Sequence, residues 1–316
     1  MPMRQLGRSG LEVSPLCLGG NVFGWTADEQ ASFRVLDAFV EAGMNFIDTA
    51  DVYSKWAAGH QGGESETILG RWMKQRRNRS AIVIATKVGS DMGAQGKGLS
   101  RAHIVRAVDA SLTRLETDYI DLYQSHVDDA TVPLEETLGT YADLIAEGKI
   151  RVIGASNYSA ERLTEALEIS RRHGLPRYES LQPLYNLYDR AGYEAALEPI
   201  CRDNGIGVIG YSSLGSGFLT GKYRTDADVT KSARGQGVKR KFYNDRGFAI
   251  LAALDEVATE QQSTPAVIAL AWLLARPSVT APIASATSVE QLEELIAATG
   301  VTLSPTSIAR LNQASA

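Results

Sequence analysis

The sequence predicts a single α/β domain over residues 1–316, a (β/α)8 TIM barrel with an N-terminal β-hairpin and a long flap loop after strand 7. Three observations carry this expectation. Eight short apolar runs follow one another along the chain, at Leu16–Gly19, Met44–Ile47, Ile82–Thr86, Tyr119–Gln124, Val152–Ala155, Glu179–Gln182, Gly207–Tyr211 and Ala281–Ala284. Stretches of helical period separate them, and alternating strand and helix signals point to a parallel sheet. The first run leads into LGGNVFGW, which lacks the glycine spacing of an open dinucleotide-binding sheet. Eight repeats therefore suit a closed barrel better than a doubly wound sheet.

Each element has its own signal. The opening RQLGRSGLEV alternates around a Gly-Arg-Ser-Gly turn, the pattern of a small hairpin. Glu29–Ala42, Leu134–Glu147 and Ser159–His173 read as helices, each followed by a glycine suited to a helix C-terminus. Ser100–Leu115 sets Ile104, Val108, Leu112 and Leu115 on one stripe. From Gly215 to about Arg246 the chain is polar and Gly-rich with few apolar anchors, and is read as a loop covering the barrel mouth.

Composition narrows the function. A net charge of −5 and a pI near 5.5 argue against a nucleic-acid partner. Cys17 and Cys201 lie in apolar stretches and form no CxxC pair, so neither a disulfide framework nor a metal site is expected. The N-terminal residues lack the apolar core of a signal peptide, and no run is long enough for a membrane span. The expectation is a cytoplasmic protein acting on a small molecule.

In a barrel of this kind the reactive groups stand at the C-terminal ends of the strands. The second run ends in Asp48, the third in Lys87 and the fourth in His126, and Tyr53 follows Asp48 closely. Taken singly, Asp48 can cap a turn, Lys87 can be a solvated amine and Tyr53 a rim aromatic. Together they make an acid–base set. A tyrosine is a poor proton donor at neutral pH unless a cation favours its phenolate. Lys87 is expected to lower the Tyr53 pKa, Asp48 to orient Lys87, and a neutral His126 to hold a substrate oxygen. No strong nucleophile is present, so a hydride donor has to come from a cofactor. A Schiff-base role for Lys87 is the competing barrel chemistry, but a neighbouring aspartate keeps the amine protonated.

NFIDTADVY, IATK, the strand ending in His126, VIGASN, LQPLYN and GYSSLGSGFLTGKY occur in this order and together resemble the aldo-keto reductase superfamily over essentially the whole chain. The flap and the GASN segment are similar to its bacterial branch related to potassium-channel β subunits. The resemblance implies NAD(P)H-dependent reduction of an aldehyde or ketone, with Asp48, Tyr53, Lys87 and His126 as the catalytic tetrad. It implies that Ser156, Asn157 and Gln182 hold the carboxamide, that Tyr211 stacks on the nicotinamide, and that Gly20 and Asn21 line the same site. Ser212, Leu214 and Gly217 match the turn around the pyrophosphate, and Lys222 and Arg234 match flap residues gripping phosphates. At the adenosine end stand Ser285, Thr287, Gln291 and Glu294. Many relatives have a lysine and an arginine where this chain has Ser285 and Gln291. NADP(H) is the preferred cofactor on this reading, with NAD(H) possible. Trp25 and Trp56 are candidate substrate-binding residues. The alternative implied by the same resemblance is an NADP(H)-binding regulatory subunit with little turnover.

Overall fold

The computed structural model describes residues 2–316. Two short antiparallel strands, β1 (Arg4–Gln5) and β2 (Glu12–Val13), form the expected hairpin. The strands β3 (Cys17–Gly19), β4 (Phe46–Asp48), β5 (Val83–Val88), β6 (Ile120–Ser125), β7 (Ile150–Ser156), β8 (Ser180–Gln182), β9 (Gly207–Val208) and β10 (Ile283–Ala284) follow. They form one eight-stranded sheet in the order β10-β3-β4-β5-β6-β7-β8-β9, with every pairing parallel. The two ends of the sheet also meet. Val208 bridges to Val279, and the Thr280 and Ile283 amides donate to the Val208 and Gly210 carbonyls at 2.8 and 2.9 Å. The curled sheet with its surrounding helices is the arrangement of a (β/α)8 barrel.

Side chains in a strand alternate between two faces, and here the faces have separate cores. Cys17, Phe46, Val83, Ala85, Leu122, Val152, Ile209, Ala281 and Ile283 cluster with one another and with Leu6, Leu11 and Val13 of the hairpin. The hairpin therefore plugs the end of the barrel from which the strands start. Arg4 fixes it there, its Nη1 donating to the carbonyls of Val279 and Thr280. Residues of opposite parity, such as Leu18, Ile47, Ile84 and Tyr123, belong to the larger layer under the helices.

The four helices read from the sequence form at those places, among others that were not read. α1 (Glu29–Glu41) begins at Asp28, whose carboxylate accepts from the Ala31 amide. α2 (Glu64–Arg76) had no explicit sequence expectation; α3 (Arg101–Leu115) lies beside it. α4 (Leu134–Ala146) and α5 (Ala160–His173) follow, the latter capped by Ser159 at one end and a left-handed Gly174 at the other. Capping of this kind supplies partners to backbone groups that the helix itself leaves unpaired. α6 (Glu198–Asn204) precedes β9.

The segment after β9 departs from the sequence expectation. It contains two short 3-10 turns, Gly215–Thr220 and Asp226–Lys231, and a helix, α7 (Gly235–Phe242). Phe218, Leu219, Tyr223, Val229, Val238 and Phe242 anchor it and are all buried. Spaced singly among glycines and charges, these residues make no local periodic signal, although the rings of Phe218 and Phe242 stack at 5.0 Å. The chain ends with α8 (Asp245–Glu260), α9 (Pro265–Leu274), β10, α10 (Val289–Ala297) and α11 (Pro305–Ala314). No helix among the described residues is long and apolar enough to cross a membrane.

Candidate active site

Strand parity builds the site. Phe46 and Asp48 face inward on β4, as do Val83, Ala85 and Lys87 on β5 and Leu122 and Gln124 on β6. The inward layers are thus apolar near the hairpin and become polar at the C-terminal ends. Asp48 and Lys87 are 1% and 0% exposed, so their charges depend wholly on protein partners. The Lys87 ammonium lies 2.8 Å from Asp48 Oδ2, 2.8 Å from Tyr53 Oη and 2.8 Å from the Thr49 carbonyl. All its proton donors are used.

The Asp48 carboxylate is equally saturated. Tyr53 Oη donates to Oδ2 at 3.0 Å, and Gln182 Nε2 donates to Oδ1 at 2.8 Å. Gln124 Nε2 stands at 3.5 Å from the same oxygen. A buried ion pair is tolerated when further hydrogen bonds satisfy both partners, and these residues supply them. Gln124 was missed in the sequence, yet its signal was present: it lies two residues before His126 in YIDLYQSH, in the same strand and in phase with Leu122.

Tyr53 differs from expectation in its electrostatics. Burial holds its phenol well above the ordinary value, and the charge of Asp48 and the hydrogen bond to it act in the same direction. The expected lowering by Lys87 is therefore overturned: the phenol is buried and gives its own hydrogen bond to Asp48 at 3.0 Å, and both oppose the phenolate. Tyr53 is held as a neutral phenol. His126 follows β6, its amide donating to the Val88 carbonyl at 2.8 Å, and its ring lies 6.1 Å from that of Tyr53. Burial, aided by Lys87, pushes its pKa down to about 3, so the imidazole is neutral. Its Nδ1 has no partner among the described residues.

The remaining expected residues fall into two groups. Ser156, Asn157, Gln182 and Tyr211 come together beside the tetrad. Ser156 Oγ donates to the Gln182 carbonyl at 2.9 Å, and Tyr211 Oη donates to Asn157 Oδ1 at 2.9 Å. Asn157 Nδ2 donates to the His126 carbonyl at 2.9 Å, which ties this group to the tetrad. Gly20 lies against the tetrad strand, where a Cβ would come within 2.8 Å of Ser65 Oγ and 3.0 Å of the Asp48 carbonyl. Beyond Tyr211 the chain turns sharply, with φ of +58° at Ser212, +56° at Ser216 and +90° at Gly217. Left-handed residues in succession form concave nests of amides suited to anions. Leu214 lies in this turn, and Lys222 Nζ reaches within 3.1 Å of where a Gly217 Cβ would stand.

At the other end Ser285 Oγ donates to Asn21 Oδ1 at 2.5 Å, and Gln291 Oε1 accepts from both the amide and the hydroxyl of Thr287. Glu294 Oε1 accepts from Thr264 Oγ1 at 2.6 Å. Arg234 leaves the flap segment and lies over the Trp25 ring at 5.3 Å. Trp25 meets Trp56 edge to face at 5.6 Å, and Trp56 lies 6.0 Å from Tyr53. Neither Lys222 nor Arg234 has an acidic side-chain partner among the described residues. No group of side chains suited to a metal occurs among them either.

Fold and site together set a buried acid, amine and phenol at the C-terminal ends of a parallel β/α barrel, with a left-handed turn beyond Tyr211. The chain belongs to the aldo/keto reductase family, whose profile matches residues 15–316. It is 35% identical over 319 residues to an uncharacterized oxidoreductase, YrpG, of Bacillus subtilis, covering 99% of this chain and 95% of that one. It is also 35% identical over 308 residues to a probable voltage-gated potassium channel subunit beta of Arabidopsis thaliana, covering 95% and 92%. Norsolorinic acid reductase B of Aspergillus parasiticus is 34% identical over 300 residues, covering 90% of this chain and 76% of its own length. Membership of this family and the reductases among its relatives mark the chain as an oxidoreductase.

Proposed function

We propose that the protein reduces an aldehyde or ketone to an alcohol with NAD(P)H, Tyr53 giving the proton. The observation that carries this reading is the shared 2.8 Å approach of Lys87 Nζ to Asp48 and to Tyr53 in a buried setting. The bound nicotinamide supplies the hydride. The chain's own residues fit such a group: the left-handed turn at Ser212–Gly217 would offer the amides that are not, like those of Gly215 and Gly217, bonded within it, and Lys222 and Arg234 offer cations without acidic partners. Ser156, Asn157 and Gln182 would hold the carboxamide, and Tyr211 would lie against the ring.

Tyr53 carries its proton, and a carbonyl oxygen reaching Tyr53 Oη takes that proton as the oxygen gains charge. Lys87 then faces the phenolate that remains, at the one moment its charge is needed. Neutral His126 donates a hydrogen bond to the same oxygen and fixes its approach. Trp25 and Trp56 offer an aromatic wall to the rest of the substrate. The complete tetrad favours turnover over a purely regulatory role.

Tyr53→Phe is the test. Turnover over a panel of carbonyls, followed by NADPH or NADH absorbance, should fall by about 10²–10⁴-fold, with cofactor affinity nearly unchanged. Undiminished turnover in this variant defeats the proposal. NADP(H) is the expected partner because Lys222 and Arg234 offer cations that Ser285 and Gln291 do not. Parallel titrations should show tighter NADPH binding, and tighter NADH binding overturns that preference.

A further inference from the structure

Beneath the turn that carries Tyr53 lies a second acid that the tetrad does not use. Asp51 is 2% exposed, and its Oδ1 has no hydrogen-bond partner among the described residues. Its own amide reaches the Lys87 carbonyl at 3.4 Å, and the Tyr53 amide donates to the Ala50 carbonyl at 3.2 Å. The ends of the turn are fixed, the Thr49 amide to the Ala85 carbonyl and the Ser54 hydroxyl to the Phe23 carbonyl at 2.8 Å each, and its longer bonds lie at the middle, on Asp51 and Tyr53. Gly62 packs against it from outside, where a Cβ would approach the Asp51 carbonyl at 2.9 Å.

The groups facing Asp51 come from every neighbouring element. Glu66 on α2 is fully buried and already engaged, accepting from Arg114 Nε at 2.7 Å and from Thr86 Oγ1 at 2.5 Å. Arg114 on α3 is thus committed to Glu66 and makes no bond to Asp51. Lys87 on β5 is committed to Asp48. Tyr123 on β6 has a buried hydroxyl that also lacks a partner, and Tyr141 on α4 is bonded to Ser125. Asp51 consequently faces one carboxylate, two occupied cations and two phenols.

We propose that Asp51 is a positioning residue of the reaction: as a neutral acid it packs under the Thr49–Ser54 turn, and on ionisation it moves that turn and Tyr53 with it. An ionised carboxylate with one oxygen lacking a donor is costly to bury, and the repulsion from Glu66 adds to the cost, against the weaker pull of Arg114 and the Val52 amide. Burial and Glu66, in that order, push its pKa up to about 8. The phenol of Tyr53 titrates higher still, so loss of geometry precedes loss of the proton as pH rises. The inference builds on the proposed reductase chemistry but can fail separately from it.

The experiment follows the carboxyl directly. Infrared difference spectra of the whole protein between pH 6 and 10 should contain a protonated-carboxyl band that disappears with a midpoint near 8. The band should be missing in Asp51→Asn. Hydrogen exchange at residues 49–54, compared at equal pH, should rise in the wild type above that midpoint and not in Asp51→Asn. The alkaline limb of kcat/KM should shift upward in that variant. Glu66→Gln should lower the midpoint, since it removes the like charge and frees Arg114. A wild-type protein without the band at pH 7, or equal exchange in both proteins above pH 8, overturns the proposal. Absence of carbonyl turnover together with a titrating band and a loosened turn strikes the reductase reading instead.

Discussion

Replacing Asp48 with Asn would leave the Lys87 ammonium buried without its counter-ion. Glu66 is committed to Arg114, the Asp51 carboxyl makes no bond to the Lys87 ammonium, and Lys87 is 0% exposed. Removing one partner of a buried pair costs about 3–5 kcal/mol, whereas replacing both with uncharged groups of similar volume is often nearly neutral. Asp48→Asn and Lys87→Met are each expected to destabilise by about that amount, a fall of roughly 6–10 °C in Tm for a chain of this size. The double variant should recover most of the loss, because Met fills the lysine stem and no charge remains. Thermal and urea unfolding of the four proteins form a double-mutant cycle, with an expected coupling of about 3 kcal/mol. If the double variant costs the sum of the singles, the pair is not interacting as the geometry requires. Asp48→Asn should also bring the Tyr53 titration down, because burial would remain but the adjacent negative charge would be gone.

His126 makes a prediction of opposite sign along the pH axis. Its folded value is about 3, and an unfolded histidine titrates at about 6.5. The unfolded chain therefore takes up the proton first as pH falls, and this site's contribution to stability is complete above 6.5 and lost progressively toward 3. Tm of the wild type should fall more steeply over that window than Tm of His126→Gln. Parallel curves would show that the imidazole is not held neutral.

Much of the barrel was legible because its strands are short apolar runs between strong helix boundaries. Asp48, Lys87 and His126 stood out because each interrupts apolar character where a strand should end. Period two alone would have added Gln124. The electrostatics were harder to read. The sequence sets Tyr53 five residues from Asp48 but does not reveal that the carboxylate accepts the phenol's own hydrogen bond, which reverses the expected pKa shift. Glu66 and Arg114 lie 48 residues apart on separate helices, so their pairing beneath the site leaves no local trace. The flap segment was misread because its apolar anchors are isolated residues that meet only after folding, as Phe218 and Phe242 do.

The hairpin plug has a consequence for how the chain is made. Its strands emerge from the ribosome before the rest of the barrel, yet the carbonyls that receive Arg4 belong to residues 279 and 280. Throughout most of synthesis Leu6, Leu11 and Val13 have no closed barrel to enter. The hairpin is thus made well before it can be seated. Until residues 279 and 280 arrive, its apolar strip of Leu6, Leu11 and Val13 waits without the surface it will finally cover.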